Sequence, residues 1–337
     1  MKLKNPLILT LLLILSGLFV YLFIFSAEEK EKLTEDDYRK AFQHHYKIFA
    51  AKVPAQISFA GEEVPVDRFD VRESLDRELT VNSYWHSNTQ LMFKRAFRYF
   101  PVIDSILEKN NIPKDFRYLA MIESGLQNVV SPAGATGIWQ IMKGTGRDYG
   151  LEINNQVDER YHLAKATEAA CKYLRKAKDK FGTWTMAAAA YNMGRAATSR
   201  RIMEQKTESY YDMYLNRETA RYVYRILAVK TIYESPTEYG FYFRKEDFYP
   251  PLNTYETRVD SSNIDLVEFA QQQEIPYKIL KLLNPWLRSD KLSNSAGKTY
   301  AIKLPKENGL NYSTIMTPYK DDQQVFNDTL LIKQIYQ

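Results

Sequence analysis

Hydrophobic and polar positions change their pattern several times along this chain. Residues 7 to 25 run almost without a polar side chain, preceded by Lys2 and Lys4 and followed by the charged stretch SAEEKEK. That length is enough to span a bilayer, and the basic flank predicts a cytoplasmic N-terminus with the rest of the chain exported. The segment reads as a retained anchor or, because Ser26 and Ala27 are small, as a cleaved signal; Ile24 and Phe25 fit a cleavage site poorly. Residues 28 to 60 are charged and helix-prone, with YRKAFQHHYKIFAAK ending near Pro54, and predict a juxtamembrane helix or spacer. Leu91, Arg95, Phe97, Tyr99, Phe100, Ile103 and Leu107 then predict helices that pack on the next unit. From Ile112 to about Tyr239 helical periodicity dominates and nothing alternates with period two, which predicts a compact all-helical domain. Beyond the Pro-marked connector FYFRKEDFYPPLN the pattern gives a strand at Tyr255 to Val259, helices at Asp265 to Gln273 and Tyr277 to Leu283, and a strand at Lys298 to Leu304. This is a small βααβ module. The tail after Pro305 is weakly patterned.

One position breaks the helical pattern. Phe116, Leu119, Ala120 and Glu123 follow the i, i+3, i+4, i+7 stripe of a core-facing helix, with Pro113 suited to its first position and Gly125 to its stop. A carboxylate thus stands where a leucine is expected. Burial without a cationic partner favours the protonated form, so such a group can give a proton to a leaving group, as a glycosidase acid does. The plain alternative is a buried Glu satisfied by backbone donors. Beyond it, SPAGATGIWQIM supplies small residues at Ser131, Gly134, Ala135 and Gly137 and larger ones at Trp139, Gln140 and Met142. This makes either room for a bulky substrate or a helix connector. Trp184, Ala187, Ala188 and Tyr191 share one helix face.

Composition narrows the function classes. At 337 residues the chain accommodates two folded units and an anchor, and 45% hydrophobic content allows real cores. The 25 Tyr and 17 Phe can serve as sugar-stacking floors or as filler of helical cores. A net charge of +5, spread along the chain, excludes a concentrated nucleic-acid face and leaves only weak attraction to anionic polymers or membrane surfaces. The single Cys171 excludes a disulfide framework and reads as a small buried residue. His44, His45, His86 and His162 lack metal-ligand spacing, and no phosphate-cradling glycine loop is present, so no metal and no cofactor is implied.

The pieces ESGL, SPAGATGIWQIM, AAAAYNMG and ETARYVYRILAVK, in that order over roughly residues 90 to 240, resemble the successive motifs of the lytic transglycosylase catalytic domain, most closely its membrane-bound type D subgroup. GTW before the alanine run and NQVDERYHLAKATEAACKYL between the blocks also fit. The resemblance implies a mainly α protein: a lysozyme-like all-helical domain that cleaves bacterial peptidoglycan, followed by the βααβ module. It implies Glu123 as sole acid and base, and Ser124 as its small polar neighbour. Ser131 and Gln140 match positions that hydrogen-bond the sugar, Met142 one that lines the cleft, and Tyr191 and Asn192 an aromatic wall and an amide near the acetamido group. Tyr222 matches a Tyr whose hydroxyl reaches toward the carboxylate. The segment ESGLQNVVSPAGA is a residue shorter than in many members and has Asn128 where a Pro is common, and Lys143 replaces a Pro of some relatives.

With Glu123 the one carboxylate that the resemblance places in the chemistry, it implies that the substrate's own 2-acetamido group takes the second role and that the product carries a 1,6-anhydromuramoyl end. Asp148 and Asp158, the nearest downstream Asp residues, are expected on the solvent side. The alternatives are a hydrolytic lysozyme of the same fold and an inactive murein-binding scaffold. Residues 254 to 306 resemble a divergent LysM domain, a peptidoglycan-binding module, with DSSN replacing the usual Gly-Asp-Thr turn. The expected division is therefore 1–27 anchor or signal, 28–89 helical packing region, 90–240 catalytic domain, 254–306 LysM-like module and 307–337 tail. The expected partners are glycan strands of peptidoglycan and a membrane at the N-terminus. The expected place is the periplasmic side of the inner membrane, or the periplasm after cleavage.

Overall fold

The computed structural model describes residues 14–18, 21, 36, 39, 48–295 and 297–319, which divide between two units, residues 1–50 and 51–337. In the first unit residues 14–18 and 21 are helical, while most of the apolar segment 7–25 and of the helix expected before Pro54 lie outside the described residues. Residues 48–52 carry no regular structure. Among the described residues no helix is long and apolar enough to cross a membrane.

The second unit opens with a feature that periodicity did not predict, a two-residue-strand hairpin of β1 (Ser58–Phe59) and β2 (Glu62–Glu63). Eight helices follow: α1 (Phe69–Tyr84), α2 (His86–Lys109), α3 (Phe116–Ser124), α4 (Lys143–Asp148), α5 (Leu163–Phe181), α6 (Trp184–Met193), α7 (Arg195–Gln205) and α8 (Arg217–Glu234). Leu75, Ile103, Leu107, Leu119, Leu174, Val223 and Leu227 bury themselves in one core, as the helical periodicity predicts. Ala187, Ala188, Ala189 and Ala190 are all fully buried, so α6 is surrounded by protein and only small side chains permit that approach. Many aromatic rings are core filler: Phe93, Phe100, Tyr118 and Tyr233 meet edge to face, with the Arg117 guanidinium over the Phe100 and Tyr118 rings.

The segment before α1 is built into this core. Phe59 is fully buried against Phe116, with ring centroids 5.2 Å apart. The Glu62 carboxylate accepts hydrogen bonds from the backbone N–H groups of Trp184 (2.6 Å) and Thr185 (2.8 Å) and from the Thr185 hydroxyl (2.8 Å). An anion there satisfies orphan donors at the start of α6 and meets the positive end of its dipole. Lys230 of α8 reaches Asp115 at 2.6 Å and the Ser58 carbonyl at 2.8 Å, closing the hairpin onto α8. Glu78 of α1, 1% exposed, is held by Arg221 of α8 at 2.6 Å and by Arg77, so its buried charge is paired.

The C-terminal module has strands β3 (Thr254–Val259), β4 (Ile264–Asp265), β5 (Lys291–Leu292) and β6 (Tyr300–Pro305), and helices α9 (Leu266–Gln272) and α10 (Tyr277–Leu283). β3 and β6 pair antiparallel from Thr254 opposite Pro305 to Val259 opposite Tyr300, and β4 pairs β5. The alternation of Tyr300, Ile302 and Leu304 puts these three inside. The two long strands and the two helices between them follow the order that the sequence predicts, and the two-residue strands β4 and β5 are additions to it. The core of Leu266, Ala270, Leu280, Trp286, Leu287, Ile302 and Leu304 also includes Val157 and Tyr161, which come from the loop between α4 and α5. A last helix, α11 (Tyr312–Met316), lays Ile315 and Met316 inside, and the Tyr312 hydroxyl donates to the Phe248 carbonyl at 3.1 Å.

Candidate active site

The helix carrying Glu123 starts later than Pro113. Residues 113–118 form i to i+3 bonds, Phe116 to Pro113 at 3.1 Å and Tyr118 to Asp115 at 3.0 Å, so the entry is a tight turn and α3 begins at Phe116. Its end follows expectation: Gly125 is left-handed (φ 60°) and donates to the Met121 carbonyl at 2.9 Å. Phe116, Leu119 and Ala120 are fully buried, and Glu123 continues their stripe half-buried. The Tyr222 hydroxyl of α8 donates to Glu123 Oε1. Burial pushes the carboxyl up to about 7; the Tyr222 hydrogen bond and the Arg225 charge pull it back, and Glu218 adds a smaller upward push. Some surface of the residue stays open while its carboxyl is surrounded by protein, which is the setting in which desolvation outweighs a single hydrogen bond.

The loop after α3 folds back on itself. Ser131 Oγ accepts from the Ala135 N–H at 3.0 Å and the Gly134 N–H donates to the Ser131 carbonyl at 2.8 Å, forming a tight turn. Thr136 bridges both Val130 and Ile141. Gly137, at φ 80°, lies where an added Cβ would stand 2.1 Å from the Arg160 carbonyl oxygen, so this position requires glycine for conformation and for space. Gln140 is itself left-handed (φ 48°), and its Nε2 donates to the carbonyls of Val129 at 3.1 Å and Gly137 at 2.7 Å. Non-glycine residues in that region concentrate at functional sites. Ser124 is buried, and its hydroxyl donates to the Ile138 carbonyl at 2.8 Å, tying the end of α3 to the loop. Trp139 is fully buried and donates to Thr167 at 2.8 Å, while its carbonyl accepts from the Tyr191 hydroxyl at 2.7 Å.

These bonds bring four of the sequence-predicted residues to one groove. Gln140, Met142, Tyr191 and Asn192 line a cavity of about 230 Å³ with Thr145, Tyr149 and Tyr173. Met142 is exposed there. Asn192 also lines the adjoining cavity with Arg200, Asn216 and Glu218. Glu123, Ser124, Ser131 and Tyr222 line neither of these cavities; Glu123 is bonded to Tyr222, and Ser124 beside it is tied to the loop that supplies Gln140 and Met142. Tyr149, Tyr173 and Glu218 were not singled out in the sequence. For Tyr173 a signal existed, since Ala169 and Tyr173 stand four apart on α5; Glu218 lies inside a matched motif but on its exposed first turn.

Asp158 corrects an expectation. It is buried, its carboxylate receiving Arg160 Nε at 2.9 Å and Nη2 at 2.7 Å. The remaining arm of Arg160 donates to the carbonyls of Gly134 at 3.1 Å and Ile141 at 3.3 Å. A two-residue spacing in a loop turns both side chains inward here, because the guanidinium has four acceptors to satisfy. Asp148 is exposed, as expected. Among the described residues no three His, Cys, Asp or Glu side chains gather to hold a metal. Burial pushes the Cys171 thiol up to about 12, so it is an inert filler.

Residues 101–214 match the family described as "Transglycosylase SLT domain", and residues 255–308 the "Soluble lytic transglycosylase C-terminal LysM-like domain". The membrane-bound lytic murein transglycosylase D proteins of Escherichia coli K12 and of Escherichia coli O6:H1 are each 29% identical over 260 residues, covering 74% of this chain and 55% of theirs. The chain thus spans about half the length of these relatives. A structural match to the 70 kDa soluble lytic transglycosylase of Escherichia coli has a TM-score of 0.37 at 19% identity, covering 50% of this chain and 33% of that one. Residues 101–214 thus carry a transglycosylase SLT domain and residues 255–308 a lytic transglycosylase LysM-like domain, in a chain homologous to membrane-bound lytic murein transglycosylase D.

Proposed function

We propose that this chain is a peptidoglycan lytic transglycosylase of the cell envelope, tethered or delivered by its N-terminal apolar segment, which cuts the β-1,4 bond between N-acetylmuramic acid and N-acetylglucosamine. The observation that carries the reading is the Glu123 carboxyl, raised to about 7 by burial and hydrogen-bonded by Tyr222, on a helix whose end is tied through Ser124 to the loop that supplies Gln140 and Met142 to a polar and aromatic groove. Protonated Glu123 gives its proton to the leaving glycosidic oxygen as the C1–O bond breaks. The substrate's acetamido oxygen stabilises the cation that develops at C1. The carboxylate now left on Glu123 takes the proton of the C6 hydroxyl, whose oxygen closes on C1, so no water is consumed and the 1,6-anhydro ring forms. In this reading Gln140, Met142, Tyr191 and Asn192 contact the sugars, Ser131 shapes the turn that meets them, Tyr222 positions the carboxyl, and Ser124 acts by holding the loop.

Digestion of purified sacculi followed by mass spectrometry tests the proposal, because anhydro muropeptides are one water lighter than hydrolytic products. Glu218 gives the hydrolytic reading a specific footing, since it is a second carboxylate whose field reaches Glu123. Products of full mass that disappear in Glu218→Gln would establish hydrolysis; anhydro products that persist in Glu218→Gln would leave Glu123 as the sole acid and base.

The raised carboxyl also sets a pH dependence. Glu123 holds its proton below its folded pKa and loses it above, so kcat/KM is expected to fall as pH rises through about 7. Tyr222→Phe removes a donor that favours the ionised form, and the descending limb is expected to move to higher pH. Turnover of soluble glycan fragments over roughly pH 5 to 9 checks both statements. A limb that stays in place in Tyr222→Phe would show that Glu123 is not the group titrating.

A further inference from the structure

The C-terminal module is fastened to one loop of the helical unit, residues 152–162. The Asp158 N–H donates to the Trp286 carbonyl at 2.9 Å and the Arg288 N–H to the Gln156 carbonyl at 2.7 Å. The Gln156 side chain bonds both Ser293 N–H at 2.9 Å and Ser293 Oγ at 3.3 Å. Tyr300 donates to Glu152 at 3.2 Å, Lys298 pairs with Glu152 at 3.0 Å, and the Arg288 guanidinium stacks over the Tyr161 ring at 4.1 Å. Val157 and Tyr161 complete the module's own core. Such an attachment is too apolar and too densely bonded for a freely swinging appendage.

The same loop faces the active site on its other side. Asp158, whose backbone is held by the module, fixes the Arg160 guanidinium, and Arg160 holds the carbonyls of Gly134 and Ile141 at the two ends of the turn that carries Gln140 and abuts Ser124. The Arg160 backbone stands against Gly137. Rigid, fully satisfied polar links of this kind transmit position between elements.

Resting on the reading of Glu123 as the acid, we propose that the C-terminal module is a positioning element of the active site: through Asp158 and Arg160 it sets the geometry of loop 129–142 against Glu123, independently of any glycan the module itself binds. Arg160 is the positioning residue in this arrangement and touches no substrate. The module would then act on the rate of the bond-breaking step, where small displacements of contacting groups are costly, more than on substrate capture.

The test uses the full chain in detergent, with two variants. Arg288→Ala combined with Tyr300→Phe loosens the junction from the module side, and Arg160→Lys keeps the charge but loses the fork. For each, kcat and KM are measured on sacculi, and hydrogen exchange is followed at Thr136, Gly137 and Ile141, whose amides close the loop. Both variants are expected to lower kcat on the order of 10- to 100-fold with KM little changed, and to speed exchange at those amides. A raised KM with unchanged kcat, or unaltered exchange in the loop of either variant, overturns the proposal. If the double variant fails to fold, Gln156→Ala, which removes only the side-chain bonds to Ser293, takes its place. Should the unmodified chain release no product from sacculi, the reading of its activity fails, while the exchange arm still reports whether module and loop are linked.

Discussion

Glu123→Gln is expected to lose product release from sacculi by roughly 10²- to 10⁴-fold or more, the range that a positioned general acid and base contributes. The amide keeps the volume and can still accept from Tyr222, but it has no proton to give and cannot reclaim one. The same substitution should stabilise the protein in a pH-dependent way. The folded pKa of Glu123 is raised from its ordinary value to about 7, so the folded state binds this proton more tightly than the unfolded chain does. Stability is therefore lost as pH rises through that window and stays lost above it. Gln resembles the protonated form throughout, so the variant should melt higher than the unmodified chain at pH about 8 and close to it at pH about 4. Calorimetry at the two pH values, with muropeptide release measured alongside, checks both halves. Full activity in the Gln variant would remove Glu123 from the chemistry, and a melting difference independent of pH would contradict its burial as a neutral acid.

The second large effect is expected at Gly137→Ala. The added methyl group would lie 2.1 Å from the Arg160 carbonyl oxygen and 2.9 Å from its carbon, on a backbone whose φ of 80° already disfavours alanine. Strain and forced displacement together are expected to cost about 3 kcal/mol or more, and because the neighbour is backbone, the loop or residues 158–161 must move. Gly134→Ala provides the control. It has a similar φ of 84° with open space around it, and only the conformational cost of about 1 kcal/mol applies. Denaturant unfolding of the two variants, with kcat measured in parallel, separates the contributions. Equal losses at the two glycines would show that the contact with Arg160 does not constrain the loop.

The helical periodicity around Glu123 was readable because a buried stripe repeats whatever it packs against, and the same holds for the four residues Trp184, Ala187, Ala188 and Tyr191. The closing strand of the module was readable because Tyr300, Ile302 and Leu304 alternate. Asp158 and Arg160 were not. Two charged residues in a loop look like a solvated surface, and only the fold brings the carbonyls of Gly134 and Ile141 to the guanidinium. Gln140 was legible as a motif position, but its left-handed backbone follows from the turn around Gly137 and from no local preference of glutamine. The hairpin at Ser58–Glu63 is too short to show a period, and its strands exist because Phe59 and Glu62 have distant partners in α3 and α6.

Glu62 bears on where the protein can be cut for study. Its carboxylate supplies acceptors to the amides that open α6, and the far end of α6 presents Tyr191 and Asn192 to the groove. A recombinant fragment trimmed to residues 90–240 would leave those amides bare and remove Phe59 and the whole of α1 from the interior. Expression boundaries drawn from motif similarity would then yield an aggregating or inactive product, whereas one that begins near residue 51 keeps the cap and the groove it supports.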